Sequence, residues 1–279
     1  MLQNTFCHIP GFGAVTERRL WSAGLQSWDT VGRSADLPLG RAKSELLRRE
    51  VESSAAHLAA GHASHFGQCL PAAEHWRLFR EFGDSVAYLD IETTGLSGSV
   101  DQVTTIVVFD GTRLCHYVHG QNLEDFSPAI QRHRLLVTFN GKSFDLPFLR
   151  QALGVRLDQA HIDLRHVLAS LGYRGGLKSC ERQLGLDRGE LADVDGFFAV
   201  LLWHDYQRRG NPCALETLLA YNTLDVLNLA RLMPLAYNLK LRATPFHATH
   251  QLAPPPIPAN PFHADAATIA RLRRAYGGW

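Results

Sequence analysis

Four short runs rich in β-branched and aromatic residues, followed by a long series of helical patterns, constrain the fold of this chain more than any other feature. SVAYLDIE, VTTIVVFDG, RLCHYVHG and LLVTFNG, between Ser85 and Gly141, are separated by glycine-bearing turns and read as strands. After Asn140 the spacing becomes helical through FDLPFLRQALG, HIDLRHVLASLG, KSCERQLGL, FFAVLLWHDYQRRG and ALETLLAYNTLDVLNLARLM, with Pro234 expected to end the last. A three-strand meander, a fourth strand and then helices predict an α/β fold, a mixed sheet flanked by helices.

The flanks differ in texture. HIPGFGAVTERRLWSAGLQSWDTVG sets two glycines ahead of a helix on which Val15, Leu20, Trp21 and Leu25 can face one way, closing near Gly24. RAKSELLRREVESSAAHLAA is helical, and GHASHFGQCLPAAEHWRLFREFG continues as a loop and short helix, together a connecting arm. The tail opens with APPPIPANPF, whose prolines forbid regular helix or inner strand and predict disorder, and closes on a short basic helix within ADAATIARLRRAYGGW. The expected organisation is a helical N-terminal segment over 1–35, an arm over 36–84, the sheet domain over 85–240 and a Pro-rich, basic tail over 241–279.

Composition narrows the class. With 279 residues, 46% hydrophobic and 20% charged, the chain can bury one large core. No apolar run approaches the roughly 20 residues that span a bilayer, and MLQNTFCHIPG lacks the order of a signal peptide, so a cytoplasmic protein with no membrane partner is expected. Cys7, Cys69, Cys115, Cys180 and Cys213 are scattered, which predicts reduced thiols and neither a disulfide framework nor a thiolate zinc site. The net charge of +1 hides an asymmetry: residues 1–80 carry +2, 81–239 carry −5 and 240–279 carry +4. An acidic centre between basic ends suits a metal site approached by phosphates, although solvated surface charge gives the same count.

The acids supply the chemistry. In YLDIETTG, Asp90 and Glu92 lie on one face of a strand, an arrangement that a solvent-facing strand would also show. In FNGKSFDLPFL, Asp145 sits among Phe144, Leu146, Pro147 and Phe148, where an unpaired charge is costly. In LLAYNTLDVLNL, Tyr221 and Asp225 are four apart and share one face of a leucine-rich helix. Carboxylates crowded on apolar elements raise one another's pKa, and few Lys or Arg residues stand next to these in sequence. Divalent cations answer the problem: Mg²⁺ or Mn²⁺ takes oxygen ligands, and two ions about 3.5–4 Å apart suit phosphoryl transfer. Two such ions would bring the acidic middle from −5 to about −1 and let nucleic acid approach.

Asp90-x-Glu92-Thr93-Thr94-Gly95, Asn140-x3-Phe144-Asp145 and Tyr221-x3-Asp225, in this order, resemble the three exonuclease motifs of the DEDD superfamily on a ribonuclease H-like fold. NGKSFDLPFL, HIDL, GLKSCERQLGL and DVDG resemble the YprB-like ribonuclease H-like proteins, over roughly residues 85–235, as does the IPGFG segment. A histidine-type enzyme would carry His at the position of Ala220, whereas Tyr221 indicates the tyrosine (DEDDy) type.

The resemblance implies a two-metal 3′-to-5′ exonuclease acting on single-stranded or frayed DNA or RNA. A structure-selective endonuclease and a non-catalytic nucleic-acid-binding module are the alternatives. It implies that Asp90, Glu92 and Asp225 hold the catalytic ion, that Asp90 also reaches the second, and that Asp145 acts mainly through the second ion's waters. Tyr221, with an intrinsic pKa of about 10, is cast as orienting the attacking water rather than as a base. Asn140 fixes its loop or contacts substrate, and the backbone from Thr93 to Leu96 would border the terminal sugar.

Other residues have weaker expectations. Asp163 reads as a helix cap or as a support for the ligands, and the cap is favoured. Lys178 reads as a solvated lysine or a phosphate contact, the solvated form favoured; His161 and His166 are expected at the surface, not as ligands. IPGFGAVTERRL resembles the hairpin of a helix-hairpin-helix module, in which Gly11 and Gly13 would let backbone amides meet a phosphate. Too few residues precede Ile9 for a full first helix, so a purely structural hairpin is the equal alternative.

Overall fold

The computed structural model of the chain describes residues 1–96 and 100–276. Before the sheet come α1 (Ala14–Ser22), α2 (Trp28–Arg33), α3 (Arg41–Ala59), α4 (Ala63–Cys69), a 3-10 stretch (Ala72–Leu78) and α5 (Phe79–Phe82). β1 (Val86–Thr93), β2 (Val103–Phe109) and β3 (Leu114–Val118) form the meander, followed by α6 (Phe126–Ile130), β4 (Leu135–Thr138), α7 (Asp145–Leu153) and β5 (Ala160–Asp163). The remainder is helical: α8 (Leu164–Ser170), α9 (Leu177–Gln183), α10 (Gly196–Arg209), α11 (Pro212–Leu241) and α12 (Ala266–Tyr276). The sheet order is β3-β2-β1-β4-β5, antiparallel across β1–β2 and β2–β3 and parallel across β1–β4 and β4–β5. It is the α/β mixed sheet that the strand pattern predicts.

Strand alternation assigns the two faces. Val86 and Tyr88 of β1 join a core with Val107, Val137 and Ile162 and with Val226, Leu229, Ala230 and Met233 of α11. Ala87, Leu89 and Ile91 point the other way, onto Phe126 and Ile130 of α6 and Leu146 and Leu149 of α7. The same parity sends Asp90 and Glu92 toward α11. That helix has 30 residues, about 45 Å at the usual rise, and lies along β1 and β2.

Several elements depart from expectation. HID, read as helix, is the fifth strand: it pairs Leu135–Thr138 in parallel, and Ile162 is buried there. Four residues are too few for periodicity to separate strand from helix. Pro234 does not end α11, which runs on to Leu241. Proline inside a helix costs about 3 kcal/mol, and the burial of Met233, Ala236 and Tyr237 around it offsets that cost. Val15 is 57% exposed; the buried positions of α1 are Glu17, Leu20 and Trp21. Glu17 is tolerated inside because Arg77 pairs with it at 2.8 Å and the amides of Phe6 and Cys7 donate to it.

The arm lies against the sheet: α4 and the 3-10 stretch contact β5, and Phe66, Trp76 and Leu78 are buried in the core shared with α11. The Pro-rich stretch is not disordered. Leu252 and Ile257 pack on that core, Asn238 bonds the Leu252 backbone through both amide atoms, and Asn260 Nδ2 donates to Ala220 O at 2.8 Å. Prolines only exclude regular structure, and an extended segment can still dock through side chains. α12 then buries Ile269 and Leu272 against α10 and α11, and Arg271 Nη1 pairs with Asp205 Oδ1 at 2.9 Å. The final residues, 277–279, lie outside the described residues.

This docking sets a stability expectation. Leu272→Ala should cost about 2 kcal/mol or more, the usual loss for a buried leucine. Urea unfolding followed by tryptophan fluorescence checks it, and an unchanged midpoint would mean that the tail does not pack.

Candidate functional site

Asp90 and Glu92 stand on the α11 side of β1, at its C-terminal half, and a register shift between Glu92 and Thr93 turns the strand away. Asp225 comes from α11. Asp90, Glu92 and Asp225 each offer a carboxylate oxygen, and these atoms all lie within 4.8 Å of one another. A polar chain fixes the crossing: Thr105 of β2 donates to Asn222 Oδ1 at 3.1 Å, and Asn222 Nδ2 donates to Asp90 Oδ2 at 2.7 Å. Tyr221 lies one turn before Asp225 and is buried. Beyond β1, Thr93 Oγ1 donates to Gly95 O, and Leu96 is 88% exposed. A Cβ on Gly95 would stand 2.5 Å from the Asp101 carboxylate, so a larger residue here would require that side chain to move.

Asp145 opens α7 and is buried. It is outside the trio that meets within 4.8 Å, yet among neighbouring charges it acts first on Asp90. The loop before it is held by Asp163, whose carboxylate accepts from Asn140 N at 2.7 Å and Lys142 N at 3.1 Å while capping α8 through Arg165 N at 3.0 Å. Asp163 is therefore a cap, as expected, and also the clamp on this loop. Asn140 takes a left-handed φ of 66° and accepts from Arg165 Nη1 at 2.6 Å, so it does fix the loop. His161 is half-buried and bonds Thr138 Oγ1 at 2.8 Å; burial lowers its pKa to about 4, leaving it neutral. His166 is exposed.

The electrostatics follow from crowding. Burial, then Asp145, Asp225 and Glu92, push Asp90 well above the usual carboxylate range; burial, then Asp225 and Asp145, do the same to Glu92. Burial raises Asp145 to about 7 and Asp225 to about 6. Burial and the same carboxylates raise the Tyr221 phenol, which keeps it protonated and a hydrogen-bond donor.

The expected shortage of basic neighbours needs one correction. Arg188, buried between α9 and α10, pairs through Nη2 with Asp225 Oδ1 and through Nη1 with both oxygens of Glu181. Lys178 is half-buried rather than freely solvated: Nζ donates to Ala192 O and Val194 O and stands 5.6 Å from the Tyr221 ring centroid. No ion pair among the described residues reaches Asp90, Glu92 or Asp145. An all-oxygen donor set with uncompensated buried charge fits a hard divalent cation such as Mg²⁺ or Mn²⁺.

Gly11 and Gly13 stand on the exposed loop before α1, with φ of 80° at Gly11. α1 packs through Trp21 on Phe246 and Arg77, and a single 3-10 turn, Leu2–Asn4, stands where a hairpin module would carry its first helix. Sequence reasoning missed Thr105, Asn222 and Arg188. Asn222 carried a signal, being three residues before Asp225 on the same helix. Arg188 carried none, because only the fold brings it to Asp225.

A family model described as "RNase_H superfamily" matches residues 87–237, which contain the four acids and Tyr221. "Uncharacterized protein YprB" of Bacillus subtilis (strain 168) is 28% identical in an alignment 182 residues long that covers 53% of this chain and 41% of that relative. The chain thus spans less than half the length of this relative. Among solved structures, the family B DNA polymerase from the hyperthermophilic archaeon Pyrobaculum calidifontis aligns with a TM-score of 0.39 and 15% identity, over 56% of this chain and 29% of that one. Among the described residues, no helix is long and apolar enough to cross a membrane.

The raised carboxyls predict a pH dependence. Unfolded aspartates titrate near pH 4, whereas the folded Asp225 and Asp145 titrate at about 6 and 7, so the folded state binds more protons between these values. In chelator, stability should be greatest below about pH 4 as far as these groups are concerned and fall as pH rises to about 7. Mg²⁺ or Mn²⁺ should raise the melting temperature more at pH 7.5 than at pH 5. Equal metal shifts at both pH values would count against a buried acidic metal centre.

Proposed function

The chain belongs to the RNase H superfamily, and from that membership we propose that it is a metal-dependent 3′-to-5′ exonuclease on single-stranded or frayed DNA or RNA. The observation that carries the reading is the convergence of Asp90, Glu92 and Asp225 from β1 and α11 within 4.8 Å. Asp90, Glu92 and Asp225 would hold one divalent ion, and Asp90 with Asp145 a second. When bound, such ions polarise the phosphate and lower the pKa of water, supplying a nucleophile at neutral pH.

The chain's own residues do the positioning. Tyr221, kept protonated by burial and by its carboxylate neighbours, donates its hydroxyl hydrogen to the attacking water and aims it at phosphorus. As the water oxygen bonds to phosphorus and gives up a proton to solvent, the bond to the preceding nucleotide's 3′ oxygen breaks, that oxygen takes a proton from solvent to become a hydroxyl, and a nucleoside 5′-monophosphate leaves. Asn222 keeps Asp90 oriented, and Asp163 and Arg165 hold the Asn140 loop that leads into Asp145. The backbone from Thr93 to Leu96 borders the terminal nucleotide, with exposed Leu96 offering apolar surface to its base.

A 5′-labelled single strand should shorten one nucleotide at a time in Mg²⁺ or Mn²⁺ and stay intact in chelator. Asp90→Ala and Asp225→Ala should each lower the rate by about a thousandfold or more, and Tyr221→Phe by about ten- to a hundredfold, as loss of a proton-positioning group does. Discrete internal fragments would instead indicate an endonuclease, and retention without cleavage in every metal a binding module.

The N-terminal segment is assigned a contact with the nucleic-acid backbone through the loop of Gly11 and Gly13. Deleting residues 1–35 cannot test this, because Phe6, Leu20 and Trp28 belong to the common core. Arg18 and Arg19 of α1 are exposed and can be reversed without that cost. Arg18→Glu/Arg19→Glu should raise KM for oligonucleotide by about tenfold at low salt with kcat unchanged, and a KM equal to wild type would remove the segment from the interface.

A further inference from the structure

Among the described residues two arginines are buried, Arg77 and Arg188, each bridging carboxylates, and the difference between them is informative. Arg77 is fully employed: Nε donates to Glu74, Nη1 to Thr5 and Glu17, and Nη2 to Glu17, all between 2.8 and 3.1 Å. Arg188 is equally buried, its side chain 5% exposed, but its Nε–H has no hydrogen-bond partner among the described residues. Leaving a buried donor unpaired costs stability, so a residue placed for packing alone is not expected to carry one. What Arg188 does engage is specific. Nη1 chelates Glu181 at 2.6 and 2.9 Å, Nη2 bonds Asp225 Oδ1, and the guanidinium carbon lies 5.4 Å from the centroid of the Tyr221 ring. One planar cation thus touches both α11 residues assigned to the reaction.

Its own position is set from behind. Glu181 is fully buried, accepts from Asn228 Nδ2 at 2.7 Å, and Asn228 in turn accepts from Arg231 Nη1 at 2.6 Å. Asn228 and Arg231 are on α11, so the chain Arg231–Asn228–Glu181–Arg188–Asp225 starts and ends on one helix and passes through α9. Such a loop of charged hydrogen bonds fixes the guanidinium plane far more tightly than a flexible ammonium could be fixed.

We propose that Arg188 is a positioning residue of the metal centre: it anchors one oxygen of Asp225 and braces the Tyr221 ring, so that the carboxylate and the phenol keep fixed directions as divalent ions bind. This deepens the nuclease reading and rests on it. Arg188 touches no reacting atom in this role. Lysine cannot replace it, because an ammonium cannot chelate Glu181 and reach Asp225 in one plane.

The test uses Arg188→Lys in the full chain, with Mn²⁺ affinity by electron paramagnetic resonance beside steady-state kinetics on a single-stranded oligonucleotide. The Mn²⁺ dissociation constant and kcat should each worsen by about tenfold or more, the usual penalty for losing a partner of a metal ligand, while KM for oligonucleotide stays within about twofold. In an Asp225→Asn background, Arg188→Lys should no longer change Mn²⁺ affinity, since its effect passes through that carboxylate. If Arg188→Lys fails to fold, Glu181→Gln/Arg188→Gln removes both buried charges together and is held to the same affinity and kcat losses. A lower melting temperature with wild-type Mn²⁺ affinity and kcat would reduce Arg188 to a structural ion pair and overturn the proposal. Mn²⁺ binding by a wild type that degrades no nucleic acid would sink the nuclease reading while leaving Arg188 to be judged by affinity, and a wild type that binds no Mn²⁺ would overturn both.

Discussion

Mutual repulsion among buried carboxylates is the constraint around which this structure is arranged. Asp90, Glu92 and Asp225 meet within 4.8 Å, with Asp145 near enough to raise Asp90, and a single guanidinium, shared with Glu181, is paired with the group. Such a cluster does not promote folding. It persists because the elements that carry it are held by apolar surface elsewhere: β1 lies in the middle of the sheet, and α11 is buried along most of its length. Stability comes from the leucine-rich faces, and part of it is spent in confining charges that a divalent cation would relieve.

The sheet supplies the precision. Alternation sends Asp90 and Glu92 to one face, and the antiparallel partner β2 brings Thr105 opposite Glu92, where it can bond Asn222. Parallel pairing with β4 puts the Asn140 loop, and hence the start of α7, at the same end of the sheet as the end of β1. Asp145 is thus delivered by α7, which packs on the sheet face opposite α11.

Much of this was legible in the sequence wherever local periodicity and burial agree. The meander, β4 and the helical faces of α10 and α11 were readable because each is long enough, or β-branched enough, to show its period. The carboxylate positions were readable because acids in apolar runs demand a partner. β5 was not, since its four residues, Ala160–Asp163, fit either period, and the continuation of α11 through Pro234 was not, since it depends on tertiary burial overriding a local penalty. Arg188 was illegible for a different reason. Its partners Glu181 and Asp225 are 7 and 37 residues away, and no local rule connects a guanidinium after α9 with a carboxylate on α11.

The flanking segments bear on the site through the same long helix. Glu17 in α1, Arg77 in the 3-10 stretch, Glu74 and Lys240 form a continuous run of ion pairs that ends on the last turn of α11. Asn260 of the tail caps the Ala220 carbonyl, immediately before Tyr221, and Asp265 N donates to Thr217 Oγ1 one turn earlier. α11 is therefore gripped at its C-terminal end by the N-terminal segment and near Tyr221 by the tail. A helix whose residues Tyr221, Asn222 and Asp225 must meet β1 cannot slide by even one residue without turning those side chains by about 100°. Packing the chain's two ends onto α11 removes that freedom, which gives a physical reason for both ends to share the core of the sheet rather than hang from it.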